Sequence, residues 1–169
     1  MTSVGAIIMS LFAAIWWVIG AHASRSGSVV LYGLGFLITA VIVVAASRSH
    51  LQSATPEEES RVGRLVGIAS GVEGVLILIA VNVLRNIGMS AFVAPVVAII
   101  IGLHFFPLAR WLPARLYYGT AAALIAVGAV GWVLDDAHRR LLVVSFSSAG
   151  VLWLTAIAVL VAARPIART

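Results

Sequence analysis

Apolar residues fall into six long runs along the chain, each ended by a short polar stretch. At about 1.5 Å per helical residue, runs of this length match a bilayer core of roughly 30 Å. The pattern predicts helices at about Val4–Ala21, Val29–Ala46, Val62–Leu84, Ser90–Phe106, Arg115–Leu134 and Leu141–Ala163. The interruptions carry turn and breaker chemistry: Ser24-Arg25-Ser26-Gly27-Ser28, Arg48 to Ser60, Arg85-Asn86, Pro107 to Pro113, and Asp135 to Arg140. Within the longest of them, Thr55-Pro56-Glu57-Glu58 reads as an N-cap, a proline at the first helical position and a glutamate three residues after the cap. The third helix is therefore expected to start in water near Pro56 and to enter the membrane unbroken. Pro107 is expected to end the fourth helix and Pro113 to open the fifth. Ala21-His22-Ala23 has the composition of a signal-peptidase site, but no basic residue precedes the first run, which is read as a retained span.

Composition narrows the class further. Of 169 residues, 62% are hydrophobic and only 17 are charged, 11 basic and 6 acidic. That is too little polar material for the skin of a soluble domain, which excludes a soluble enzyme, a nucleic-acid module and a disordered tail. The net charge of +5 comes from arginines scattered at the ends of the runs, so no nucleic-acid partner is expected. The chain has no cysteine and no lysine, which removes disulfides, thiolate metal sites, cysteine nucleophiles and Schiff-base chemistry. It contains no Gly-x-Ser-x-Gly, no His-Glu-x-x-His and no phosphate-binding glycine loop. The reading is accordingly not an enzyme, with no cofactor and no metal, and with membrane lipids as the first partner.

Six spans put both termini on one side. That side, with the second and fourth loops, holds Arg48, Arg61, Arg64, Arg110, Arg115, Arg164 and Arg168; the other holds Arg25, Arg85, Arg139 and Arg140. The excess favours both termini in the cytoplasm. Trp16, Trp17, Trp111 and Trp132 lie near expected span ends, where indoles anchor at the headgroups, whereas Trp153 lies mid-span and is expected to pack.

Sliding the chain along itself reveals an internal repeat. Arg64–Leu84 and Arg140–Leu160 align without a gap and share nine of 21 residues, including Arg64/Arg140, Gly74/Gly150 and Leu84/Leu160. Chance would give roughly two. Ile19-Gly20-Ala21-His22 matches Ile101-Gly102-Leu103-His104, and Tyr32-Gly33 matches Tyr118-Gly119. Repeat one covers about 4–86 and repeat two about 88–163 of a single polytopic domain, 1–169. Three spans per half is an odd number, so the halves enter the membrane from opposite sides. The expected fold is an all-α membrane protein whose six transmembrane helices form two inverted three-helix repeats, a construction common among secondary transporters.

Few polar groups lie at membrane depth. Glu73, near the centre of the third span, is costly there unless it faces a partner, water or the bundle interior. It is read as a proton-coupling or cation site, or else as a neutral carboxyl bonded to a neighbouring helix. Its repeat mate is Ala149, so such a site is one-sided. Ser70, Asn82 and Trp153 complete the candidate pathway, with His22 and His104 expected near its two opposite mouths. Gly63, Gly67, Gly71 and Gly74 form a small-residue stripe that marks a helix–helix contact, within one chain or in a homodimer. Asp135, Asp136 and His138 beside Arg139 and Arg140 are read as a salt-bridged loop.

Gly102-Leu103-His104-Phe105-Phe106-Pro107-Leu108-Ala109-Arg110, followed by Tyr117-Tyr118-Gly119, resembles a segment of small uncharacterised bacterial six-span integral-membrane proteins. The resemblance implies a bacterial inner-membrane location and no activity. The function expected is a small transporter or channel-like protein for a small solute or ion, proton-coupled through Glu73, on a path between spans three and six. The alternative is a non-transporting bundle that binds lipid or a partner protein.

Overall fold

The computed structural model describes residues 3–24, 29–49, 56–111 and 115–162. They form six helices: α1 (Ser3–Ala23), α2 (Val29–Ser49), α3 (Pro56–Asn86), α4 (Val93–Trp111), α5 (Leu116–Val133) and α6 (Ala137–Ala162), with a single 3-10 turn at Ser90–Phe92 before α4. Each contains a stretch long and apolar enough to cross a membrane. The expected N-cap Thr55 lies outside the described residues; Pro56 is the first helical residue of α3. Both ends of α1 and α3, the last turns of α2 and α4 and the first turn of α6 extend past the apolar run, whereas α5 and the start of α4 are shorter than expected. Pro107 sits inside α4, which goes on to Trp111, and α6 starts at Ala137, four residues before Leu141. A proline removes one backbone bond, and a membrane helix tolerates that loss because its neighbours and local adjustment cover it.

The distribution of side chains is that of a protein in lipid. Large apolar residues such as Leu11, Phe12, Ile15, Phe36, Leu37 and Leu154 face outward, while Ala6, Ala13, Ala98, Ala121, Ala149 and Ala156 are fully buried. Lipid tails solvate leucine as well as another helix does, so the interfaces are built instead from small residues that let backbones approach. The α4–α5 contact shows the limit. A Cβ on Gly128 would come 2.7 Å from the Pro95 carbonyl oxygen, and one on Gly102 would come 3.0 Å from that of Ala121.

α6 is the hub, packing on α1 most extensively and also on α5, α4 and α2. α3 is peripheral and packs on α4 and the 3-10 turn. Its end is closed by Gly88, whose φ of 76° is left-handed. Met89 N–H donates to Leu84 O at 2.7 Å and Gly88 N–H to Arg85 O at 3.2 Å, the paired bonds of a Schellman motif. This tight stop folds α4 back along α3.

Several expectations change here. Among the described residues nothing lies within 4 Å of a Cβ built on Gly63, Gly67, Gly71 or Gly74, so the stripe meets none of the other five helices. The α5–α6 loop holds no ion pair among the described residues. Asp136 instead caps α6, its Oδ1 accepting the Arg139 N–H at 2.6 Å, which is cheaper than ordering a long arginine at the surface. Arg140 turns inward: Nε donates to Gly131 O at 2.9 Å, Nη2 donates to Leu134 O, and the guanidinium lies 4.0 Å from the Phe92 ring centre. Its repeat mate Arg64 is exposed. Trp16 and Trp17 are drawn into packing rather than left at the headgroups. Trp16 is buried, and Trp17 donates to Leu31 O at 2.7 Å and meets the Phe146 ring edge-on and the Trp153 ring at a tilt.

Candidate functional site: a carboxyl–imidazole pair inside the spans

On α3 the residues turned toward α4 recur at helical spacing: Val66, Ala69, Glu73, Ile77, Ala80 and Leu84. Glu73 thus faces a neighbour, not lipid, and is 8% exposed. It lies ten residues from the start and thirteen from the end of the apolar stretch Gly63–Asn86. Across the interface, His104 Nδ1 is 3.4 Å from Glu73 Oε2. The imidazole also lies beside the backbone of Ala69, one turn before Glu73.

His104 was expected near a membrane mouth, and the structure puts it deeper. Because α4 runs through Pro107 to Trp111, His104 is seven residues from that end of the span, roughly 10 Å inside it. Glu73 and His104 are thirteen and fourteen residues from Asn86 and Ser90, the span ends at the α3–α4 turn, so they share a depth.

The chemistry follows from that depth. As a neutral unit the pair carries one proton, either as a carboxylic acid donating to the imidazole or as a carboxylate facing an imidazolium. Either form satisfies both groups, whereas one more or one fewer proton leaves a net charge among apolar helices. A pair of this kind can hold, pass on or exchange a proton, and removing one partner strands the other.

The remaining candidates are not gathered around it. His22 is exposed in the last turn of α1. Ser70 and Asn82 are exposed on α3, with Asn82 Nδ2 donating to Leu78 O at 2.8 Å in its own helix. Trp153 is buried on α6 and donates to Thr39 Oγ1 at 3.2 Å on α2. α3 and α6 belong to different parts of the packing, so the path expected between those two spans has no shared interface to follow. Sequence reasoning missed the Thr120–Thr155 hydroxyl pair, 2.8 Å apart between α5 and α6. The only signal for it was a hydroxyl residue inside each of two apolar runs.

Six apolar spans, small-residue packing and a buried acid–base pair define a multi-pass helical membrane protein. The chain belongs to DUF7010, a family of unknown function, whose model matches residues 1–162. No curated protein and no solved structure matches it.

Proposed function

We propose that this protein is a small transporter or channel-like protein of the bacterial inner membrane, moving a small solute or ion with coupling to protons through Glu73 and His104. The observation that carries the reading is the pair itself: an acid and a base 3.4 Å apart, buried at mid-depth, where an ionisable group without a task is rare. The inverted repeat belongs to the same proposal. It draws support from the packing of α1 on α6 and of α3 on α4, and of α1 on α2 and of α4 on α5, each the counterpart of the other under exchange of the halves. Catalysis plays no part in this reading, and both termini lie in the cytoplasm.

The absence of native cysteine makes the test direct. Glu73→Cys is made the sole thiol, and membrane vesicles of both orientations are treated with a small quaternary-ammonium methanethiosulfonate. Ser60→Cys and Asp135→Cys, both exposed, serve as the positive controls for the two faces. Labelling at position 73 means that water reaches the pair. Absence of labelling from both faces, in a folded variant, favours the second reading.

That second reading is a sealed bundle that binds lipid or a partner, including a second copy of itself. It is favoured by the uncontacted face of α3 bearing Gly63, Gly67, Gly71 and Gly74. Gly67→Ile would then abolish a dimer seen by crosslinking in native membranes, and an unchanged crosslink removes the second copy from consideration.

A further inference from the structure

Residues that are identical between the two repeats should be buried alike wherever the halves pack alike. Several are. Leu78 and Leu154 both face outward, 65% and 69% exposed, and a Cβ on either Gly74 or Gly150 would meet open space. Four identical pairs disagree. Leu152 and Val159 are each 1% exposed, whereas their mates Leu76 and Val83 are 48% and 50% exposed. Val151 packs against the core while Val75 is exposed, and Arg140 is buried while Arg64 is exposed. At about 100° per residue, Arg64, Val75, Leu76 and Val83 fall within one arc of about 120° on α3. The difference between the halves is therefore one whole side of α3, on the flank away from the glycine stripe.

On α6 the corresponding side is covered by α5. Val144 meets Gly131, the Thr155 and Thr120 hydroxyls lie 2.8 Å apart, and Arg140 donates to the Gly131 and Leu134 carbonyls. The repeat mate of α5 is α2, aligned through Tyr32-Gly33 and Tyr118-Gly119. This alignment puts Leu34 in the place of Thr120 and Ala45 in the place of Gly131, while Ile68 and Ile79 take the places of Val144 and Thr155. All four are apolar, and all four are exposed. Two uncovered faces thus stand where repeat two has a packed interface. No comparable contact joins α2 and α3 among the described residues. Only six residues separate Ser49 from Pro56, so the adjoining ends of the two helices lie at most about 25 Å apart.

We infer that the protein has a second conformation in which α2 and α3 close on each other as α5 and α6 do here, with Leu34 against Ile79 and Ala45 against Ile68. α3 keeps α4 in that state, just as α6 keeps α1 while it packs on α5. Lipid solvates these apolar side chains about as well as a helix does, so closure exchanges one set of contacts for another and neither state is strongly disfavoured. The inference rests on the inverted-repeat reading, in which one half can take up the arrangement of the other, and the helix that closes is the one carrying Glu73.

Two double variants of the otherwise cysteine-free protein test it in native membranes: Leu34→Cys with Ile79→Cys, and Ala45→Cys with Ile68→Cys. None of the four is a buried substitution. Leu34→Cys with Leu78→Cys is the control, one residue along but on the outward side that Leu154 shares. After oxidation with membrane-permeant copper phenanthroline, the denatured protein is treated with a polyethylene-glycol maleimide, which counts the remaining thiols on a gel that separates monomer from dimer. A disulfide needs its two backbones within several ångströms, so both test pairs are expected to lose their thiols within the monomer at least about tenfold faster than the control. Rates equal to the control, or no disulfide at all, overturn the inference. A disulfide found only in the dimer overturns it too, since a second copy then covers α3. The reading beneath it fails separately. Labelling of Asp135→Cys and Ser60→Cys on the same face removes the inverted repeat, whereas opposite faces with unreacted test pairs remove the second conformation alone.

Discussion

At Arg140 the chain buries a guanidinium without a carboxylate. The carbonyls of Gly131 in the last turn of α5 and of Leu134 just past its end accept its N–H groups, and the Phe92 ring covers its face. The C-terminal end of a helix carries partial negative charge, so these carbonyls act as the counter-charge. Arg140→Met keeps much of the packing but leaves both carbonyls unpaired, and should cost about 2–4 kcal/mol, read as a lower midpoint in denaturant. Arg140→Lys should recover part of this, because an ammonium cannot reach both carbonyls with the geometry of a planar fork. The repeat alignment paired this residue with Arg64, which is exposed. Residue type was legible in the sequence; burial was not, because it depends on where the 3-10 turn brings Phe92.

Among the elements, two kinds of glycine make opposite predictions. Gly128→Ala forces a methyl against the Pro95 carbonyl, 2.7 Å away, and rigid backbone cannot yield as a side chain does. It should destabilise the α4–α5 contact by about 1–3 kcal/mol in a thermal-unfolding series. Gly67→Ala meets nothing within 4 Å, so only helix propensity acts, and the lone chain should gain about 0.5–1 kcal/mol. A loss at Gly67 in native membranes would mean that a second copy sits there. The six spans themselves could be read from the apolar runs, since lipid leaves few alternatives to a helix at that length. The depth of Glu73 was equally legible, because it sits near the centre of a long run. Its partner was not. Taking Pro107 as the end of α4 moved His104 toward the surface, whereas the helix continues through the proline. The spacing of Gly63, Gly67, Gly71 and Gly74 was just as visible, but spacing does not say whether the neighbour belongs to the same chain.

For the whole molecule, an even number of spans requires the two ends of the bundle to share one side of the membrane, whatever the orientation. Orientation is then a question of charge. Seven arginines flank the side of the termini and four the other, and cytoplasmic loops retain positive charge. Arg140 is withdrawn from that count, since it is buried against α5 and presents no charge to the headgroups. Leaving it out widens the imbalance to seven against three, in the direction that the proposal of cytoplasmic ends requires. Ser60 at the start of α3 and Asp135 in the α5–α6 turn are exposed and lie on opposite faces in this arrangement. In intact cells an impermeant maleimide should therefore label Asp135→Cys at once, and Ser60→Cys only after the membrane is permeabilised. The reverse pattern would invert the protein, setting the Arg140 cap in the cytoplasm and the long polar entry to α3 outside. If both sites label in intact cells, the number of spans between them is even, and one of the three helices α3, α4 and α5 does not cross.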